Sequence, residues 1–296
     1  MNTKQNWRRL VGWLLIGVMI LGMMSACSPN SQAGADPETI AEATAELTAQ
    51  ATAPAGQTAG DIPVMTIKMV DGELSAPDEV PSGPVALVNE SGLPVEPVRL
   101  NDGVTFEELT ATLAENEEAV LDLISLLGSS ENAVGQIIYD LSPGQYVVAD
   151  TSEEGDALVG PITVGEPSGA TPPTADVNVD LVDFNFAIPS EIKAGPQLWQ
   201  INNKGEQWHE LVIIKLDEGV AMDDVMAMIM SEEETSGPPP FEMVAMWSPM
   251  GVGTTAWVEW DLPAGAYTVL CFLPDLKGDF QPHAAHGMVA NLTVTN

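Results

Sequence analysis

Apolar and polar positions alternate along most of the chain after residue 60. Val177, Val179 and Leu181 alternate with polar or charged neighbours, and Val64, Ile67 and Met69 do so with one slip. Ala266 to Leu270 is a short β-rich run that suits a buried strand, and Leu292 and Val294 alternate in a last one. Two stretches keep a different period. Thr105 to Leu127 places Phe106, Leu109 and Leu113 at helical spacing behind a capping signal, Thr105-Phe-Glu-Glu. Met222 to Met230 is its counterpart later in the chain. Short strands, Gly/Pro turns and one helical excursion per unit predict an all-β protein. The expected architecture is two tandem Greek-key β-sandwich domains, each with a helical insertion.

The number two comes from an internal repeat. Pro77-Asp-Glu79-Val80 with Gly83-Pro84 returns as Pro189-Ser-Glu191-Ile192 with Gly195-Pro196. Leu100-Asn-Asp-Gly103 returns as Leu216-Asp-Glu-Gly219, and Leu141-Ser-Pro-Gly144-Gln-Tyr146 as Leu262-Pro-Ala-Gly265-Ala-Tyr267. The offset between copies grows along the chain, as it does when loops differ between duplicated domains. Glu166 to Thr174, with three prolines, is the natural linker. The expected domains are therefore 61–166 and 174–296, each of ordinary size.

The start of the chain reads as sorting information. Lys4, Arg8 and Arg9 precede an apolar run from Leu10 to Met24, shorter than the roughly 20 residues a membrane span needs. Residues 1–26 are thus expected to be a signal peptide. Met24-Ser-Ala-Cys27 resembles a bacterial lipobox, which makes Cys27 the lipidated first residue of the mature protein and the membrane its anchor. An uncleaved anchor helix is the alternative. Either way the folded part is expected outside the cytoplasm of a bacterium. Residues 27–60, rich in Ala, Thr, Gln and Gly, are expected to be a flexible tether with a helical turn near Ile40 to Leu47.

Charge narrows the partners. Past residue 26 the basic residues are Lys68, Arg99, Lys193, Lys204, Lys215 and Lys277, against all 43 acidic residues of a chain whose overall charge is −34. Such a field repels nucleic acid and favours encounters with a basic partner, a basic redox protein for example. A solvated surface suited to saline surroundings explains it equally well.

Histidine and cysteine are scarce, so their placement is informative. The chain has three histidines and two cysteines. With Cys27 assigned to the lipid, Cys271 has no partner for a disulfide, and it is either a ligand or an inert buried residue. His209, Cys271, His283 and Met288 together offer two imidazoles, a thiolate and a thioether, the donor set of a blue-copper electron-transfer centre. His286 lies close enough in sequence to be an alternative ligand.

The residues around these four resemble the cupredoxins, the plastocyanin and azurin family. Asn202-Asn203-Lys-Gly205-Glu-Gln-Trp-His209 is similar to the family's segment before its first histidine ligand. Gly265-Ala-Tyr267-Thr-Val-Leu-Cys271 resembles its Gly-x-Tyr-x-x-x-Cys strand, and Pro282-His283-Ala-Ala-His286-Gly287-Met288 its Pro-His-x-x-x-Gly-Met ending. The resemblance covers most of the second domain. It implies one type 1 copper, with His209 and His283 as imidazole ligands, Cys271 as thiolate and Met288 as axial thioether.

Two departures stand out. The loop from Cys271 to His283 is longer than in plastocyanin, and Glu210 replaces an asparagine that usually fixes the cysteine loop. A carboxylate beside the thiolate is unfavourable unless Glu210 points to solvent. The first domain has neither histidine nor cysteine, and Asp150 occupies the place of Cys271, so it is expected to be metal-free.

Three functions remain open from sequence: a one-electron carrier, a copper-handling or copper-storing protein, and a metal-free interaction module. A methionine set (Met222, Met226, Met228, Met230, Met243, Met246, Met250) could serve the second as soft donors, although pliable core filling is the commoner use of such residues. Trp257 and Trp260 are expected to pack the sandwich. An enzyme is not expected: additional coppers need further histidines, and no nucleophile triad, phosphate loop or paired-carboxylate cleft is recognisable.

Overall fold

A computed structural model describes residues 62–152, 157–230 and 238–296. The expected signal peptide, Cys27, the tether with its turn and the acidic run from Ser231 to Glu234 all lie outside the described residues.

In chain order the first half contains β1 (Val64–Val70), β2 (Glu73–Ser75), β3 (Glu79–Glu90), β4 (Val95–Leu100), α1 (Phe106–Glu115), α2 (Glu117–Val120), β5 (Ile124–Leu126), β6 (Ile137–Leu141), β7 (Gly144–Asp150) and β8 (Leu158–Pro167). The second half contains β9 (Val177–Val182), β10 (Asn185–Ala187), β11 (Glu191–Lys193), β12 (Gly195–Asn203), β13 (His209–Leu216), α3 (Met222–Met230), β14 (Phe241–Met250), β15 (Thr255–Leu262), β16 (Gly265–Leu270) and β17 (Val289–Thr295).

The two halves are built alike. In the second, one sheet runs β10-β9-β12-β15 and the facing one β11-β17-β16-β13-β14. In the first, β2-β1-β3-β6 faces β3-β8-β7-β4-β5. A single long strand, β3, does the work of two: its start pairs in parallel with β8, and its later residues pair with β1 and β6. The second half divides that work between β11, which pairs with β17, and β12. Both halves are β-sandwiches with a helix inserted between corresponding strands.

The halves form one body. β6 pairs with β15 through Tyr139↔Ala256 and Ile138↔Trp257, so a single sheet crosses the boundary. Beside it, Leu127 bridges to Met250, and Gly251 N–H donates to Leu126 O at 2.7 Å. The indole of Trp247 lies so close to Gly128 that any side chain there would collide with it; its φ of +79° also favours glycine. Glu96 is buried in this joint, where it accepts from Gly128 N, Ser129 Oγ and, across the boundary, Ser248 Oγ. Burial pushes its carboxyl up to about 7, the three donors opposing the rise.

Most of the apolar pattern survives inspection, with two corrections. In β1 the buried residues are Met65 and Ile67, whereas Val64 and Met69 face solvent. The helical insertion of the first half stops far short of Leu127. Thr105 caps α1, accepting from Glu108 N, but only Leu109 of the expected face is buried, and Ile124–Leu126 turns into strand β5. Pairing with β4 overrides the local helical spacing there.

Trp199 and Trp260 fill the sandwich of the second half, with Trp260 edge-on against Trp199, whereas Trp257 is buried on the opposite face of β15 from Val258 and Trp260. Met222, Met226, Met228, Met243 and Met246 pack around Val225 and Ile229 in a second apolar cluster, as flexible gap fillers do. Met250 is buried in the main core and Met230 is exposed.

Candidate metal centre

Strand register decides where each donor goes. β13 is flanked in its sheet by β14 and β16, and its faces are packed, Leu211 and Ile213 in the main core and Val212 and Ile214 in the cluster with α3, so His209 to Ile214 are all buried. His209 is its first residue. The approach is set by Asn203, whose Nδ2 donates to Gln207 O and Met250 O, both at 2.8 Å, and whose Oδ1 accepts from Gly205 N at 3.0 Å. This is the physical content of the Asn-Asn-x-Gly signature: a buried amide closes the turn that delivers the histidine.

Cys271 follows directly on β16 and is fully buried. The chain then leaves the sheet, makes a 3-10 turn at His283–His286 and returns as β17. Backbone bonds pin both ends of this loop: His283 N donates to Leu273 O, Ala284 N to Cys271 O, and Cys271 N to Met288 O. His283 and Met288 are therefore held against Cys271 inside the core.

Three donors converge. His209 Nδ1 lies 3.1 Å from His283 Nδ1, Cys271 Sγ lies 3.4 Å from His283 Nδ1, and the three donor atoms are all within 4.8 Å of one another. Donors of a trigonal ion with bonds of about 2.0–2.3 Å stand about 3.5–3.8 Å apart, so a few tenths of an ångström of expansion admits an ion. Met288 is fully buried in the same core cluster as Cys271. His286 stands apart from this trio, with Nε2 at 2.9 Å from Asp279 Oδ1. Asp150, in the first half, spends its Oδ1 on Ser152 N in a turn.

Charge states suit a cation. Burial lowers the His209 pKa, and it lowers that of His283 to about 4, with His209 adding to the effect. Both imidazoles are consequently neutral near pH 7 and offer lone pairs. Burial pushes the Cys271 thiol up, and the Glu210 carboxylate pushes it further. Without a cation the thiol keeps its proton; a bound cation releases it. Two borderline nitrogens and one soft sulfur, sealed from water, fit copper better than a hard ion.

Glu210 does not meet that condition. It is buried rather than solvent-facing, and its Oε1 accepts from Phe272 N at 2.7 Å. It holds the cysteine loop in the way an asparagine side chain could. Burial drives its pKa up to about 7, which favours the neutral form that coexists with a thiolate.

Two residues escaped the sequence reading. Asp183 Oδ1 lies 2.8 Å from His209 Nε2, and both its oxygens accept from Glu206 N. With the Nε2 proton directed at Asp183, Nδ1 is left as the donor lone pair, the usual service of an outer carboxylate. Gly205 makes this possible, because any side chain at that position would collide with Asp183 and His209. Phe184, with φ of +59°, sets its ring edge-on to His283 at 5.3 Å between centroids. His283 Nε2 is buried with no hydrogen-bond partner among the described residues. Both residues sit in the β9–β10 turn. Parallel pairing of β9 with β12 brings Leu181 opposite Asn203, and so carries this turn to the histidine. Nothing local in the sequence announces a parallel register.

No family model matches the chain, and no curated protein matches it. Among solved structures it is similar to dithionite-reduced auracyanin from Roseiflexus castenholzii, at 24% identity over 40% of this chain and 95% of that one, with a TM-score of 0.29. It is similar to auracyanin A, a "blue" copper protein of Chloroflexus aurantiacus, at 20% identity over 40% of this chain and 96% of that one, TM-score 0.28. Rusticyanin from Thiobacillus ferrooxidans is 21% identical over 40% of this chain and 75% of its own, TM-score 0.25.

Proposed function

We propose that this chain is a copper protein that carries single electrons. In this reading His209, His283 and Cys271 are the three strong donors, Met288 is the axial thioether, and one type 1 site is built in the second half. The observation that carries it is the meeting of His209, Cys271 and His283, residues distant in sequence, in one buried pocket. Copper bound to this set would supply one-electron exchange between its cuprous and cupric states.

The residues around the pocket prepare it for that task. Asp183 orients His209, Glu210 and the backbone bonds at Leu273 and Met288 fix the cysteine loop, and the packed sandwich keeps water out. A pocket with both imidazoles already neutral and facing one another need rearrange little when charge changes. We further propose that the chain is exported, lipidated at Cys27 and tethered to the bacterial membrane through residues 27–60, where its acidity would favour a basic redox protein as partner. No enzymatic step is assigned to it.

The test is voltammetry of the copper-loaded full chain. One reversible electron per chain, lost in Cys271→Ser and retained in Asp150→Asn, is the expected result. Tightly bound copper that cannot be cycled would contradict the electron-carrier reading and leave copper handling in its place.

A further inference from the structure

The loop that holds His283 carries a second group of donors on its outer side. Asp275, Asp279 and His286 place one donor atom each within 4.8 Å of one another. His286 Nε2 is 2.9 Å from Asp279 Oδ1 and 4.0 Å from Asp275 Oδ2. Asp279 is exposed, whereas Asp275 is only 8% exposed. Asp275 Oδ1 accepts from Lys277 N, but its Oδ2 has no hydrogen bond among the described residues and is turned toward His286. Any side chain at Gly278 would collide with that carboxylate, so the loop leaves room for it. Lys277, on the same loop, directs its Nζ elsewhere, donating to Glu206 O.

Asp275 is largely buried, and its free Oδ2 shares a 4.8 Å cluster with an imidazole and a second carboxylate, three donors that a positive ion can complete. We propose that Asp275, Asp279 and His286 form a second site, for a divalent transition ion of borderline character such as zinc or cupric ion. One imidazole and two carboxylates suit these ions; magnesium and calcium prefer all-oxygen shells, and cuprous ion prefers sulfur. Donors of a tetrahedral zinc stand about 3.3 Å apart, so the observed 2.9 and 4.0 Å spacings need only small side-chain movements.

One ring contacts both sites: the Phe184 centroid lies 5.3 Å from that of His283 and 4.9 Å from that of His286. An ion on the outer site would cross-link the loop from Asp275 to His286, and hence brace the segment that presents His283.

Zinc binding by the full chain tests this, with the inner pocket first filled with cuprous ion and millimolar magnesium present to occupy scattered carboxylates. One additional zinc ion per chain is expected. His286→Gln and Asp279→Asn should each weaken that ion at least tenfold while the inner copper is retained, which also shows that the loop still folds. No additional zinc in the wild-type chain, or affinity unchanged in both variants, would overturn the proposal. Should the inner pocket fail to take copper, the wild-type chain is still expected to bind one more zinc ion than His286→Gln, so the two readings fail separately.

Discussion

The two halves share a scaffold and differ at one end of it. Both place corresponding strands in the same order, insert a helix between the same pair, and lock a loop with the same tyrosine device: Tyr146 OH donates to Ser142 O, and Tyr267 OH to Pro263 O. At the far end they part. β7 ends at Asp150 and β8 begins at Leu158, whereas β16 ends at Leu270 and β17 begins only at Val289. The longer excursion carries Cys271, His283, His286 and Met288. Counting back equally from Leu100 and Leu216, Leu93 stands where His209 stands. The sandwich thus holds its shape without any donor, and the candidate chemistry resides in one strand start and one long loop.

If the halves are coupled through their joint, Glu96 should report it. Its folded pKa of about 7 lies above the ordinary 4.5, so its contribution to stability is fully present below pH 4.5 and is lost as pH rises through 7. A shift of that size corresponds to about 3 kcal/mol. Comparing denaturant unfolding of wild type and Glu96→Gln at pH 4.5 and 8, the variant should gain about that much relative stability at the higher pH. Parallel pH profiles would contradict the buried, charge-averse joint.

A smaller effect is expected at the metal end. Asp183→Ala removes the carboxylate that orients His209, and such losses cost about 10–100-fold in metal affinity. Competition against a cuprous chelator measures it; unchanged affinity would mean that Asp183 does no orienting. The smallest effect should be shared by both halves. Tyr146→Phe and Tyr267→Phe each delete one hydrogen bond to a backbone carbonyl, at a cost of about 1 kcal/mol. Neither should alter copper affinity, and a loss confined to one of them would break the equivalence of the scaffolds.

Much of this was readable beforehand, for identifiable reasons. The repeat was legible because its turns use Gly and Pro at fixed places, and β9, β16 and β17 because one of their faces is strictly apolar. His209, Cys271 and His283 stood out through scarcity, and the neutral filling role of the methionines followed from their side chains. The failures were all non-local. Ile124–Leu126 pairs with β4 against its local spacing, and Met65 turns inward beside an exposed Val64. Asp183 reaches His209 only through a parallel register. Glu210 is buried because the Phe272 and Leu273 amides converge on it, which no single-residue rule foresees.

The most direct test of the copper reading is the visible absorption of the full chain on adding one equivalent of cupric ion. An intense thiolate-to-copper charge-transfer band is expected, abolished by Cys271→Ser and untouched by Asp150→Asn. A colourless complex, or a band that survives Cys271→Ser, would contradict it.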